Sequence, residues 1–470
     1  METIVERELK LDPPDDFVLP ALDGDALDTR VFTSTYHDTP MRSLARAGIT
    51  LRRRVENGLS TWQLKLPRDG GRAEIAAPGS PSGPPPELRA LLVAHLRHGE
   101  LEPVATLRTR RSGVRVGGVG HPVADVTVDA VDVLDGMKPV GGFVEVEVEL
   151  VEGDGSDLQK LGRILRKAGA RRSIGRAKVL RVLNIPDVEA PAEGATTVEQ
   201  LSHVLSLQLR ELERHDPGVR LGDDPEDLHR FRVATRRSRA MIRATKPLLG
   251  ETLAPLTAEL KWLGGILGPV RDFDVLLLRL REGVRDLEPD AAGGGLIVAA
   301  LEEERERRND AMLAALDDER YFRLLDSYAE AIESLPKLDA TDLRPLAAKQ
   351  LRKLRKATRR LDEDPSDEEL HAIRIRAKRA RYAAELAAVA DSGKPLARYI
   401  DALKNLQDVV GEHQDAVVAE AELRRVARAK TGLAAGRLIE RERERKSERR
   451  RAYPDALAAV IVSGKKADLI

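Results

Sequence analysis

The sequence predicts an α+β chain of two domains: an N-terminal antiparallel β tunnel barrel of about eight strands with flanking helices, then an all-α region of tandem-repeat helical bundles. Three observations predict it. In the first third, charged and apolar residues alternate along several short runs, the period-2 mark of strands. From Ile185 to Thr197, IPDVEAPAEGATT mixes proline, glycine and acids without any period, which marks a linker. Beyond it the period is helical, and a histidine followed by regularly spaced cations occurs twice, about 140 residues apart. The expected boundaries are 1–184, a linker over 185–197, and 198–470 divided into repeats of about 198–335 and 336–470.

From Thr3 to Leu11, alternation sets Glu6, Glu8 and Lys10 on one strand face and Val5, Leu9 and Leu11 on the other. Strands are expected near Val31 to His37 and Gly113 to Val116. TLRRRV aligns Arg52 with Arg54, and TWQLKL sets Lys65 opposite Trp62, Leu64 and Leu66. ATLRTR aligns Thr106, Arg108 and Arg110, and DVTVDAV aligns Asp125, Thr127 and Asp129. FVEVEVELV opposes Glu145, Glu147 and Glu149 to Val144, Val146, Val148 and Leu150. Helices over Glu87 to His98 and Asp157 to Ala168 are expected to cover the apolar faces. A sheet of this size closes most easily into a barrel, which removes its edges. A single alternating strand is more often a solvated face, but five or more with shared parity favour a charged lumen. Carboxylates and cations facing each other across a narrow lumen suit a divalent cation, Mg²⁺ or Mn²⁺, carrying a chain of phosphates.

In the last two-thirds, His229, Arg232, Arg236, Arg239 and Arg243 stand 3, 4, 3 and 4 residues apart, one stripe of a helix. Phe231, Ala234, Ser238, Met241 and Leu248 form its packing stripe. His371, Arg374, Lys378 and Arg381 repeat the pattern beside Ile373, Ala377, Ala380, Ala384 and Ala387. The repeat extends to Lys261 with Lys404, Gly268 with Gly411 and Asp272 with Asp415, and more weakly to the acid–base runs from Leu301 and Ile439. A helix near Leu343 to Leu361 adds Lys349, Lys353 and Lys356. DDPEDLH and DPSDEELH supply acidic first turns that suit the helix dipole. The run ERERERKSERRR from Glu440 is expected to be a solvated face, because its acids and bases can pair along the helix. The stripes have few acidic partners on their own face, so an anion site is the better reading. Neither histidine has a second ligand at zinc spacing.

Lys plus Arg and Asp plus Glu number 78 each, so any attraction for a polyanion must come from local clusters such as these stripes. The absence of cysteine excludes disulfides and thiolate chemistry. With only 3% aromatics, stacking surfaces for single-stranded nucleic acid are scarce, which argues against nucleic acid as a partner. No apolar run spans a bilayer and no signal peptide is recognisable. The expected location is therefore cytoplasmic, and the oligomeric state is unknown.

ERELK, Glu6 to Lys10, resembles the Glu-x-Glu-x-Lys signature of the CYTH family, the triphosphate tunnel metalloenzymes. YHDTPMRSLARAGITLRRR, Tyr36 to Arg54, is similar to that family's Tyr-x-Asp-Thr segment and Leu-Arg-x-Arg strand, and the likeness covers about Met1 to Asn184. The resemblance implies an eight-stranded antiparallel tunnel holding a triphosphate and one or two divalent ions. It implies Glu6, Glu8, Asp129, Glu145 and Glu147 as metal ligands or their supports, with Asp125 as the alternative to Asp129. Lys10, Arg52, Arg54, Lys65 and Lys178 would contact phosphates. Arg108 and Arg110 share strand parity with them, with Arg111 as a replacement for one. Glu145, Glu147 or Glu149 would orient the attacking water.

HRFRVATRRSR and HAIRIRAKRAR resemble the signature of the conserved histidine α-helical domain, CHAD, over about Thr197 to Ala459. This implies a basic groove for inorganic polyphosphate between the two repeats. His229, Arg232, Arg236, Arg239, His371, Arg374, Lys378 and Arg381 are the motif residues, and Asp272 and Asp415 hold basic side chains by salt bridges. The joint expectation is a hydrolase of triphosphate or short polyphosphate using Mg²⁺ or Mn²⁺, with a polyphosphate-binding helical domain. The alternatives are a non-catalytic polyphosphate-binding protein and an organic triphosphatase or cyclase, for which Tyr36 and Trp62 could offer a ring at the tunnel mouth.

Overall fold

The computed structural model describes residues 3–68, 71–97, 99–118, 120–173, 177–185, 195–336, 342–362, 364–389 and 393–470; the side chains of residues 3–6 and 118 are outside the description. The chain forms two compact units, Met1–Val188 with Asp216–Leu221, and Glu189–His215 with Gly222–Ile470. Most of the expected linker lies outside the described residues.

The first unit holds β1 (Thr3–Glu6), β2 (Glu8–Asp12), β3 (Gly24–Asp38), β4 (Thr50–Glu56), β5 (Leu59–Arg68), β6 (Gly71–Pro78), β7 (Glu102–Gly118), β8 (His121–Asp135), β9 (Lys138–Leu150) and the short β10 (Arg171–Arg172). Their order is β1-β6-β5-β4-β3-β7-β8-β9-β2-β10, every pairing antiparallel. The expected Thr3–Leu11 strand is broken at Arg7: β1 pairs with β6 and β2 with β9. That short segment therefore joins both edges of the sheet and closes it. The separate strand expected over Gly113 to Val116 is part of the long β7.

Parity divides the strands as alternation requires. Leu51, Trp62, Leu64, Leu66, Ala73 and Ile75 face outward into one core with Leu88, Leu91 and Leu92. Leu88 belongs to α2 (Pro86–Ala90), which with α3 (Val93–Leu96) replaces the single helix expected there. On the opposite wall, Leu11, Val126, Val146 and Val148 pack under Leu161 and Leu165 of α4 (Gly155–Lys167). Asp154 starts that helix by accepting from the amides of Ser156 and Asp157 in a capping box. In the Tyr36–Arg54 segment, buried Asp38 accepts from the amides of Thr39, Leu44 and Ala45 at 2.7–2.9 Å, capping α1 (Ser43–Arg46) and turning the chain into β4. At one end of the barrel, lumen-facing Tyr36, Leu107, Val131 and Phe143 enclose Val179, Leu180 and Leu183 of α5 (Lys178–Leu183). This helix plugs that end.

The second unit runs through α6 (Thr197–Leu221) as far as His215, then α7 (Pro225–Leu249), α8 (Ala254–Arg285), α9 (Ala291–Leu316), α10 (Glu319–Glu333), α11 (Arg344–Thr358), α12 (Asp367–Ala387), α13 (Lys394–Val426) and α14 (Gly432–Lys466). Asp224 caps α7, and Ser366 with Glu369 forms a capping box on α12, so the duplicated stripes begin at matched helix starts. The duplication is visible at side-chain level. A Cβ at Gly268 would lie 3.9 Å from Arg232 Nε, and one at Gly411 would lie 3.9 Å from Arg374 Nε. The run from Glu440 is not uniformly solvated, as alternation alone suggests. Glu442 is buried and ion-paired to Arg279 of α8, while Arg441 Nη1 donates to the Gly283 carbonyl at 2.7 Å.

Candidate functional site

The barrel encloses a chamber of about 230 Å³ lined by Glu8, Lys10, Arg52, Arg54, Lys65, Glu147, Glu149 and Lys178 among the residues expected there. Glu6 lies on β1 opposite Arg72, with its side chain outside the described residues. Alternation could have added Arg30 and Phe32, which share parity with Tyr36, and Gln63, which shares it with Lys65, whereas Arg72 and Glu74 lie on β6, where no residue was singled out; all five line the chamber. Arg108 and Arg110 do not. Both are exposed on the outer face, where Arg108 Nη2 bonds Asp132 at 2.7 Å, while Arg111 points inward. TLRTRR carries cations at both parities, so periodicity gives the spacing of the faces without saying which faces in. Trp62 is likewise outside the chamber: it is fully buried in the outer core, its Nε1 donating to the Ser80 carbonyl at 3.0 Å.

At the plugged end the charges form one network. Lys178, at the start of α5, lies 3.0 Å from Asp129, 2.7 Å from Glu145 and 2.6 Å from Glu147. Arg111 forks onto Asp129 at 2.8 and 2.7 Å and reaches Glu147 Oε2 at 2.5 Å, and Lys10 bonds the other oxygen of Glu147. Burial alone would discharge these groups. Against that burial, Glu147 is held well below the usual carboxylate range by Lys178, Lys10 and Arg111. Lys178 and Lys10 are raised, also against burial, chiefly by Glu147. Glu145 and Glu149 go the other way, pushed up by burial.

Carboxylate oxygens are the donors a hard divalent cation takes. Asp129, Glu145 and Glu147 carry the ion pairs just described, and Glu8 pairs with Lys10 at 3.0 Å. Glu8 and Glu149 face each other in register across β2 and β9, and both line the chamber. Among the described residues no three acidic or histidine side chains converge as a metal cluster. Carboxylate oxygens of this kind fit a hard divalent cation.

On the cationic wall, Arg52 Nε donates to Gln63 at 2.8 Å and its Nη1 to the Tyr36 hydroxyl at 3.3 Å. Lys65 lies 2.8 Å from Glu74. Arg54 stacks 3.6 Å from the centroid of the Phe32 ring.

In the helical unit a groove of about 520 Å³ is lined by Arg236, Arg239, Arg243, Lys353, Lys378 and Arg379, with Tyr382 accepting from Arg236 Nε at 2.8 Å. Lys349 and Lys356 are exposed on α11 but do not line it. Five other stripe residues do not line the groove. Arg232 pairs with Asp272 at 3.1 Å, Arg374 feels Asp415, and Arg381 pairs with Glu385 at 2.7 Å. His371 Nδ1 is 2.8 Å from Gln414 Oε1. The other histidine, His229, is half-buried, and burial and Arg271 push its pKa down. Crowding of like charge shows most at Lys378, which burial and Arg374, Arg236 and Arg232 push down to about 7.

The chain thus carries a tunnel of paired carboxylates and cations and a cationic helical groove. Residues 4–180 match the CYTH domain and residues 203–424 the CHAD domain. The chain is 31% identical over 459 residues to an uncharacterized protein of Mycobacterium tuberculosis (strain CDC 1551 / Oshkosh), covering 89% of this chain and 88% of that protein. It belongs to the family of proteins in which a CYTH domain is followed by a CHAD domain. Among solved structures it is similar to the CHAD domain from the plant Ricinus communis, at 27% identity and TM-score 0.49, covering 59% of this chain and 94% of that one. It is also similar to PptA from Streptomyces chartreusis, at 24% identity and TM-score 0.47, covering 56% and 99%. CYTH proteins are triphosphatases or cyclases, generally dependent on a divalent metal, which sets the reaction class as phosphoryl transfer or hydrolysis on triphosphate substrates. No helix among the described residues is long and apolar enough to cross a membrane.

Proposed function

We propose that the β unit is an inorganic triphosphatase, dependent on Mg²⁺ or Mn²⁺ and acting on tripolyphosphate and short polyphosphate, and that the helical unit binds polyphosphate. The lining of the chamber carries this reading. Among the described residues its only rings are Phe32 and Tyr36; the first is covered by Arg54, and the second is buried with its hydroxyl engaged by Arg52. Neither offers a free face for a nucleobase or for the rings of thiamine, whereas Arg52, Arg54, Lys65 and Arg111 supply donors for bare phosphate oxygens.

A divalent cation bound through Glu8 and Glu149 would supply charge neutralisation on the phosphate chain and a more acidic water. The chain's own residues do the rest. Arg52, Arg54 and Lys65 orient the phosphates for in-line displacement and stabilise the charge that develops. Lys10 stays protonated beside Glu147. Glu149, with Glu145 and Glu147 as neighbours on the same strand face, would orient the attacking water. In the helical unit, Arg236, Arg239, Arg243, Lys353 and Lys378 would hold the chain, and His229, Arg232, His371, Arg374 and Arg381 would support them. A compartment holding polyphosphate, such as a cytoplasm with polyphosphate granules, is where this pairing would act.

Phosphate release from tripolyphosphate and from ATP, each with Mg²⁺ or Mn²⁺, tests the proposal. Faster release from tripolyphosphate is expected. Preference for ATP would favour an organic triphosphatase or cyclase, and no release from either would leave a binding protein.

A further inference from the structure

β4 ends at Glu56, and the exposed turn residues Asn57 and Gly58 follow, so Glu56 stands at the barrel's rim. It shares lumen-facing parity with Arg52 and Arg54, and in register it lies opposite Phe32. Its carboxylate is clamped. Arg30 Nε donates to Oε1 at 2.6 Å and Arg30 Nη2 to Oε2 at 2.8 Å, while Arg54 Nη2 donates to Oε2 at 2.6 Å. The hydrogen bonds from Arg30 hold this carboxyl below the usual range, so the charge is permanent near neutrality. At the other end of the barrel, α5 fills the lumen with Val179, Leu180 and Leu183. The chamber is thus bounded by an apolar plug at one end and, at the other, by a carboxylate fixed between Arg30 and Arg54, a group that accepts hydrogen bonds and offers no donor to a phosphate oxygen.

We propose that Glu56 is a specificity-determining residue that sets the length of phosphate chain the tunnel accepts, admitting a triphosphate and opposing longer chains. The proposal rests on the hydrolase reading above. Arg52, Arg54, Lys65 and Arg111 attract phosphate within the chamber; a chain that extends outward past Arg54 brings its next phosphate against a carboxylate it cannot displace without breaking three hydrogen bonds. Discrimination by an opposing charge is a common way to reject a near-cognate ligand that shares every attractive contact. The rim residues Arg30 and Glu56 then have separate effects: the arginine holds the carboxylate in position, and the carboxylate does the rejecting.

The test compares kcat/KM for tripolyphosphate and tetrapolyphosphate in the full chain, carried in an Arg239→Ala, Arg243→Ala background that weakens the helical groove. Glu56→Gln keeps an acceptor for the arginines and removes the charge. It should raise the tetrapolyphosphate to tripolyphosphate ratio about tenfold. Glu56→Asp, which keeps the carboxylate charge, should leave the ratio near the wild-type value, whereas Arg30→Met, which removes two of the three hydrogen bonds that hold the carboxylate, should move it part of the way towards the Glu56→Gln value. An unchanged ratio in Glu56→Gln, or a parallel fall on both substrates, would make Glu56 only a strut for Arg54 and overturn the proposal. If the protein carrying wild-type Glu56 releases phosphate from neither chain, the hydrolase reading fails. The ratio of dissociation constants for the same two chains, by calorimetry, then decides in the same way: a tenfold shift supports the length limit and none overturns it.

Discussion

Lys178 meets three buried carboxylates at once, and Asp129 and Glu145 are fully buried. Removing one partner of such a cluster leaves charge uncompensated in a medium that solvates it poorly. Lys178→Met is therefore expected to destabilise the β unit by about 3 kcal/mol in chemical denaturation, whereas a change of less than about 0.5 kcal/mol would mean that Lys10 and Arg111 suffice. At Lys378 the imbalance is of opposite sign. With its pKa near 7 when free, it is largely neutral at higher pH, and a bound phosphate chain would favour its protonated form. Binding then takes up a proton, and polyphosphate affinity should fall as pH rises from about 7 towards 9. Lys378→Arg should flatten that dependence; if only His229→Gln with His371→Gln flattens it, the histidines are the titrating groups. The ion-paired residues Glu8, Lys10, Glu145 and Glu147 were legible in the sequence because alternation fixes their common face. The phase of β7 was not, since Arg108, Arg110 and Arg111 offer both parities and only the pairing Arg111–Asp129 decides between them.

At the scale of the element, the break at Arg7 lets one short segment serve two edges, a switch that no period within ERELK announces. The plug helix was legible only as the cation Lys178: six residues are too few to give a helical period, and what fixes α5 is the apolar end of the lumen. The stripes of α7 and α12 were legible because thirty-odd residues of matched spacing leave little choice, although their inequality was not. Arg239 and Arg243 line the groove, while Arg381 is committed to Glu385. Replacing Arg239 and Arg243 with Ala should weaken long-chain polyphosphate binding more than Arg381→Ala does. It should also reduce the slope of log affinity against log salt by about 1 per cation removed. Equal effects, or an unchanged slope, would show that the chain lies elsewhere on the helical unit.

For the whole molecule, the account assigns chemistry and capture to different units. Carboxylates able to hold a metal are in the barrel, and the basic stripes are in the helices, so the two activities should be separable by mutation. The most direct test is Glu8→Ala in the full chain, with Mg²⁺-dependent phosphate release from tripolyphosphate and binding of long-chain polyphosphate measured on the same preparation. The account predicts that hydrolysis is lost while the binding constant stays within about twofold of the wild type. Retained hydrolysis, or loss of both together in a folded protein, would contradict it.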